Sequence, residues 1–295
     1  MTISLHILLP YLTLAALIVS LFIIRAQNVL KIFLALQICL VYFWGFINPI
    51  GVLCIVLFWG LCECHLRYPT TRASIHFFSV MLIVLVALLF ANHLMPGFNN
   101  PKVINGIHLT PDSSAYSMYL NFDKTSAAVI LFLASGLVLK NTTALSLNTL
   151  FKTLGIAVLA IFTLMILALT IGYIHFDPKF PDIFWLWAVN NLLFVCFAEE
   201  VLFRGVIQSI LIKIALKRNW PVFIPIFVSA LLFGTILLGH AYGGLAYISL
   251  ATLAGVFYGY AYYLTGRLEA AILVHFSVNL THLLLFTYPV SAVFY

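Results

Sequence analysis

The sequence predicts an all-α, polytopic transmembrane helix bundle of about ten spans, with eight as the lower bound, and three observations predict it. Only 7% of the 295 residues are Asp, Glu, Lys or Arg, while 64% are hydrophobic, a balance far from that of a water-soluble domain. Apolar runs follow one another, mostly long enough to cross about 30 Å of hydrocarbon as helices. The basic residues gather in alternate connections between those runs, as topology determinants do.

In chain order the runs lie at about 4–24, 30–48, 50–66, 73–95, 125–139, 153–173, 183–205, 221–239, 243–264 and 269–288. The first lacks a preceding basic region and a small-residue cleavage site, so it reads as a retained span and not as a signal peptide. The fifth is short. With the N-terminus outside, Arg25, Lys31, Arg67, Arg72, Lys140, Lys152, Lys213, Lys217, Arg218 and Arg267 fall on the inner side. Lys102, Lys124 and Lys179 fall outside, together with Asp112, Asp123, Asp177 and Asp182. Excess Lys and Arg on one side fixes orientation, so both termini are expected outside.

The stretch from Pro96 to Lys124, rich in Pro, Gly, Asn, Ser and Asp, reads as a long outer loop, without residues that specify chemistry. The chain divides at about 150, into an N-terminal extension of some five helices (1–150) and a core (151–295) that holds almost all the suspicious intramembrane polar residues. The net charge of +6 is scattered singly or in pairs, which excludes a nucleic-acid footprint. Cys39, Cys54, Cys62, Cys64 and Cys196 sit mostly in apolar runs and read as membrane-helix residues, not a disulfide framework. Cys62-Glu63-Cys64-His65 reads as interface packing before metal binding. Asn141-Thr142-Thr143 and Asn279-Leu280-Thr281 match the glycosylation pattern, but the first is expected inside and the second within a span, so both are discounted. Trp185, Trp187 and Trp220 read as interfacial anchors.

Ionisable groups inside a span cost about 2.5–3.5 kcal/mol each on insertion scales, so each needs a reason. The run from Asn190 to Arg204 carries Glu199, Glu200 and Arg204. Neighbours on a helix point about 100° apart, so the two carboxylates face different partners, whereas Glu200 and Arg204, four apart, share a face. One carboxylate can pair with Arg204 while the other activates a water, and two carboxylates in low dielectric drive their proton affinities apart. Spacing alone does not say which glutamate is the base. His240 ends one later apolar run, and His275 and Asn279, four apart, share a face of another. Imidazole and carboxamide groups can donate hydrogen bonds to an oxyanion. His282 falls near the same stripe as His275 and reads as packing.

At these residues the chain resembles the CPBP family of intramembrane proteases, which includes the CAAX-type prenyl-protein endopeptidases and the Abi and bacteriocin-processing proteins. The family pattern is a Glu-Glu-x-x-x-Arg helix, an aromatic-x-x-x-His helix and a His-x-x-x-Asn helix. Here the first is Glu199-Glu200-Val201-Leu202-Phe203-Arg204 and the last His275-Phe276-Ser277-Val278-Asn279. The middle departs, with Ile236 four residues before His240 and the nearest aromatic, Phe233, seven before it. The likeness covers roughly 153–288. It implies that Glu199 activates water, that Glu200 with Arg204 orients it, that His240 is a catalytic partner, and that His275 and Asn279 stabilise the oxyanion. No cofactor is expected. Glu and His are also zinc ligands, so a divalent metal such as zinc stays open beside the preferred metal-free glutamate peptidase.

The expected activity is therefore hydrolysis of a peptide bond near the inner membrane face, on a membrane-tethered or lipidated protein or peptide. The expected setting is the plasma membrane of a prokaryote, with membrane lipids as the other partners. An ion-coupled secondary transporter is the alternative, weakened by the lack of an inverted repeat or of matched broken helices. A non-catalytic peptide-binding or immunity protein is the third reading.

Overall fold

A computed structural model describes residues 4–67, 72–137, 146–236 and 244–294. His240, Lys140 and the Asn141-Thr142-Thr143 motif lie outside the described residues. Ten helices are found among those described: α1 (Leu5–Ile23), α2 (Gln27–Phe43), α3 (49–67), α4 (Ala73–Ala91), α5 (Phe122–Ala134), α6 (Leu147–Thr170), α7 (Phe184–Arg218), α8 (Phe223–Ile236), α9 (Gly244–Thr265) and α10 (Leu268–Leu285). Each overlaps one of the ten predicted runs. Seven of them, α1, α3, α4, α6, α7, α9 and α10, are long and apolar enough to cross a membrane, and the protein is a polytopic helical bundle.

Local chemistry sets several boundaries. The Asn48 side chain accepts from Ile50 N (2.9 Å) and Gly51 N (3.2 Å), with Pro49 at the first turn of α3. These are N-terminal donors that have no partner inside the helix. Ser146 caps α6 in the same way, accepting from Thr149 N at 3.2 Å. At its far end α7 stops in a left-handed residue, Asn219 (φ 55°), with Lys217 and Arg218 in the last turn beside the negative pole of the helix.

The chain forms two compact units. The first contains α1 to α5 together with Leu193–Leu202 of α7. Its centre is α5, whose every residue is buried and which packs against α2, α3, α4 and the Phe197–Glu200 turn. Gln37, buried on α2, donates to Pro10 O of α1 at 2.7 Å, and Tyr11 Oη donates to Leu120 O at 2.8 Å. The connection after α4 is tied to the start of α3 by Asn48 N to Gly97 O (3.0 Å) and Asn99 N to Phe46 O (2.8 Å).

The second unit contains α6, the remainder of α7, α8 to α10, residues Ile104–Met118 and the chain's last residues. Here α9 lies against α6, α8 and α10, and α10 also against α6. The segment after α10 folds back on the unit. Phe286 bridges to Phe176, Ser291 bridges to Ser113, and Tyr288 Oη accepts from Trp187 Nε1 at 3.0 Å. Trp187 is thus a buried residue and not the interfacial anchor expected of it, because its ring packs on Phe276 and Tyr288 and its N–H is satisfied by protein. Trp185 and Trp220 are exposed. His282 is a packing residue, with Nε2 3.1 Å from Thr287 O and its ring against Tyr288.

Two features depart from the sequence expectation. The connection between α4 and α5, expected as an outer loop, contains a two-stranded sheet, β1 (Lys102–Ile107) and β2 (Tyr116–Tyr119). And α5 begins at Phe122, so Asp123 and Lys124 are not loop residues but buried ones in its first turn. The sequence places them in the loop because a charge at the edge of an apolar run reads as its end. Partners described below make their burial tolerable.

Candidate active site

The helix that carries the carboxylates is not a plain α-helix. Asn190–Cys196 and Val201–Gln208 are π-helical, and between them a single α-turn, Phe197–Glu200, holds Glu199 and Glu200. An i→i+5 ladder is rare and concentrates at functional sites. It also redirects carbonyls, and hydroxyls meet them. Ser229 on α8 donates to Phe203 O (2.9 Å) and Ser209 donates to Arg204 O (2.9 Å).

In the first unit, Glu199 is 7% exposed and Glu200 is fully buried. Glu199 Oε1 is 2.5 Å from Lys124 Nζ, and that ammonium is itself only 10% exposed in its side chain. The residue before it, Asp123, receives two more bonds. Its Oδ1 accepts from Lys124 N at 2.8 Å and its Oδ2 lies 2.8 Å from Nδ1 of His93, at the end of α4. Lys124 therefore enters the candidate site, and the sequence reading missed it. The available signal was Asp123-Lys124 directly before a run of only about fifteen apolar residues, which those two residues and Phe122 lengthen.

In the second unit, Arg204 is fully buried. Its Nη2 donates to Gly255 O at 3.0 Å, and its guanidinium carbon lies 4.6 Å from the Phe233 ring centre and 5.3 Å from that of Tyr258. The same two rings hold His275, with Tyr258 stacked on the imidazole at 4.4 Å and 15° and Phe233 edge-on at 5.8 Å. One aromatic pair thus contacts both the cation and the imidazole. Phe233 is the aromatic seven residues before His240. One turn beyond Arg204, Gln208 Nε2 donates to Gly259 O at 2.9 Å, so two side chains of α7, four residues apart, meet two glycine carbonyls of α9, also four apart. Without side chains, Gly255 and Gly259 let these groups approach. A Cβ on Gly255 would stand 3.1 Å from Arg204 Nη2, and one on Gly259 would stand 2.6 Å from Gln208 Oε1. Gly255-x-x-x-Gly259 was the legible signal for this close packing. Asn279 Nδ2 donates to Asn191 Oδ1 at 3.2 Å, joining α10 to the π-segment of α7.

The structure thus brings Glu199 to Lys124, Arg204 and His275 to a shared aromatic pair, and Asn279 to Asn191. Among the described residues no three His, Cys, Asp or Glu side chains gather as a metal centre requires, and Oε1 of Glu199 already faces an ammonium. Glu63 of the Cys-Glu-Cys-His run pairs with Lys31 at 2.5 Å.

Residues 181–281 match the family model of the Rce1-like type II CAAX prenyl endopeptidases. This stretch is an Rce1-like domain. No curated protein and no solved structure matches the chain. The Rce1-like domain contains both glutamates, Arg204, His240, His275 and Asn279, while Lys124 lies outside it. Together with the apolar spans, this match supports an integral, multi-pass membrane protein and an intramembrane protease of the CAAX type.

Proposed function

We propose that this protein is an endopeptidase that hydrolyses a peptide bond of a membrane-associated protein or peptide, using a water activated by Glu199. The observation that carries the reading is the Glu199–Glu200 turn, buried inside the Rce1-like domain and framed by two π-segments. A carboxylate kept ionised away from bulk water is a competent general base. It takes a proton as the water oxygen attacks the carbonyl carbon, and passes that proton to the leaving amine as the C–N bond breaks. Glu200 with Arg204 orients the water, and His240 is a catalytic partner.

His275 and Asn279 stabilise the tetrahedral oxyanion as hydrogen-bond donors, an effect that is strong where water is excluded. The stacking of Tyr258 on His275 and the bond from Asn279 to Asn191 support this role, because donors aimed in advance cost no reorganisation during the reaction. The core is residues 151–295, and cleavage takes place near the inner membrane face. The matched family is named for CAAX prenyl endopeptidases, so a lipidated C-terminal peptide is the substrate class assigned. The base is a carboxylate and the reaction proceeds in chelator.

The test uses purified full-length protein in liposomes with lipidated and unlipidated membrane peptides, and mass spectrometry of the products. Glu199→Gln is expected to lower kcat by about 10²–10⁴-fold, the range for loss of a general base, and Glu200→Gln to lower it less. Wild-type turnover in both variants rejects the catalytic reading.

A further inference from the structure

A lysine buried in a membrane protein is costly unless paired, and such a residue marks function more often than packing. Lys124 is of this kind, and neither the sequence pattern nor the matched domain accounts for it. We propose that Lys124 is the positioning residue for Glu199: its ammonium holds the carboxylate in one orientation for the attack on the peptide bond. This rests on the reading of Glu199 as the base.

The geometry supports positioning because Lys124 is held by both its side chain and its backbone. Its Nζ meets Glu199 Oε1 at 2.5 Å. Its backbone N–H donates to Asp123 Oδ1 (2.8 Å), and Asp123 Oδ2 is bound by His93 at 2.8 Å, so the first turn of α5 is tied to the end of α4. Just before that turn, Phe122 N donates to Asn100 Oδ1 (2.9 Å) and Leu120 O accepts from Tyr11 of α1. On the carboxylate's side, Phe197 two residues earlier packs against Phe22 of α1 and Phe132 of α5, whose rings also meet each other. The ammonium and the carboxylate are therefore both presented by anchored backbone, as a preorganised site requires. The turn of Lys124 also carries Asp123, with His93 behind it, and the turn of Glu199 also carries Glu200. Asp123 is occupied by its own two bonds, and Glu200 points off another side of the turn.

The test is steady-state kinetics on full-length Lys124→Met and Lys124→Gln, each alone and combined with Glu199→Gln, with thermal unfolding in detergent as the fold check. Positioning predicts that kcat falls about 100-fold, the cost of a small misplacement of a reacting group, while KM stays within about threefold, because binding is left intact. In the Glu199→Gln background neither substitution lowers the residual rate further, since Lys124 acts only through that carboxylate. A folded Lys124 variant with wild-type kcat beside an inactive Glu199→Gln overturns this proposal and leaves the functional reading standing. Wild-type kcat in Glu199→Gln overturns both. If neither neutral variant folds, the ion pair is purely structural and the proposal falls.

Discussion

Substituting Gly234 by Ala should be among the most damaging single-methyl additions in the second unit, and the structure gives the reason. A Cβ at Gly234 would stand 2.2 Å from Thr252 Oγ1, 2.8 Å from Ile248 O and 2.9 Å from Thr252 N, the last two being backbone of α9. Ordinary Cβ contacts begin at 3.4 Å, so the approach to Ile248 O must open by 3.4 − 2.8 = 0.6 Å. Overpacking of this sort costs about 1–3 kcal/mol, and more where backbone and not side chain must yield. Moving α9 also stretches the 3.0 Å bond from Arg204 to Gly255 O, and a hydrogen bond to a charged group is worth about 1.5–3 kcal/mol. We expect a loss of roughly 3 kcal/mol, measured by reversible denaturation in mixed micelles. Gly155→Ala on α6, where a Cβ meets nothing within 4 Å, is the neutral control. Thr252→Ala in the Gly234→Ala background removes the contact with Oγ1 but neither backbone contact, so it should restore less than half the loss. Equal stability of Gly234→Ala and Gly155→Ala, or full rescue by Thr252→Ala, would refute the reasoning.

Gly97→Ala should destabilise the first unit by at least about 3 kcal/mol, because φ is +90° and the new Cβ would lie 2.2 Å from Gly51 N; a melting curve matching wild type would contradict it. Lys179, outside the spans, has its pKa lowered by burial, against the opposing hydrogen bond and charge of Asp177. The unfolded chain then binds more protons than the native one between that lowered value and about 10.4, so stability rises with pH through this window and is lost as pH falls through the native pKa. Lys179→Met should flatten the slope, and an unchanged slope in alkaline denaturation curves would exclude the coupling.

The helices were legible because hydrocarbon imposes one rule on every span: backbone groups must bond within the segment, and side chains must be apolar over its length. That rule acts locally, and each of the ten observed helices overlaps its expected run. Its failures are also local. A charge-based boundary cannot tell Lys124 at a membrane surface from Lys124 buried beside a carboxylate, since the partner is 75 residues away and pairing is a property of the folded contacts. The π-segments of α7 were invisible for a related reason. Apolar periodicity does not distinguish an i→i+4 from an i→i+5 ladder over seven or eight residues, whereas the serines that meet the redirected carbonyls do so only in three dimensions. The glycine pair on α9 was written in the sequence, but its meaning depends on Arg204 and Gln208 standing opposite.

Lys124 also bears on how the chain is divided. Motif reasoning separates an extension from a core at about 150, because the residues with recognisable chemistry follow that point. Packing groups the residues differently, since Leu193–Leu202, inside the Rce1-like domain and including both glutamates, cluster with α1 to α5. A buried carboxylate needs a partner as much as it needs a place on a helix, because its charge in low dielectric is otherwise removed by protonation. Glu199 draws that partner from α5, whose residues are buried on all faces and whose first turn is tied to α1 and α4. With Lys124 positioning Glu199, the N-terminal helices are part of the catalytic apparatus, and a fragment reduced to the matched domain should lose turnover even where its own helices still form.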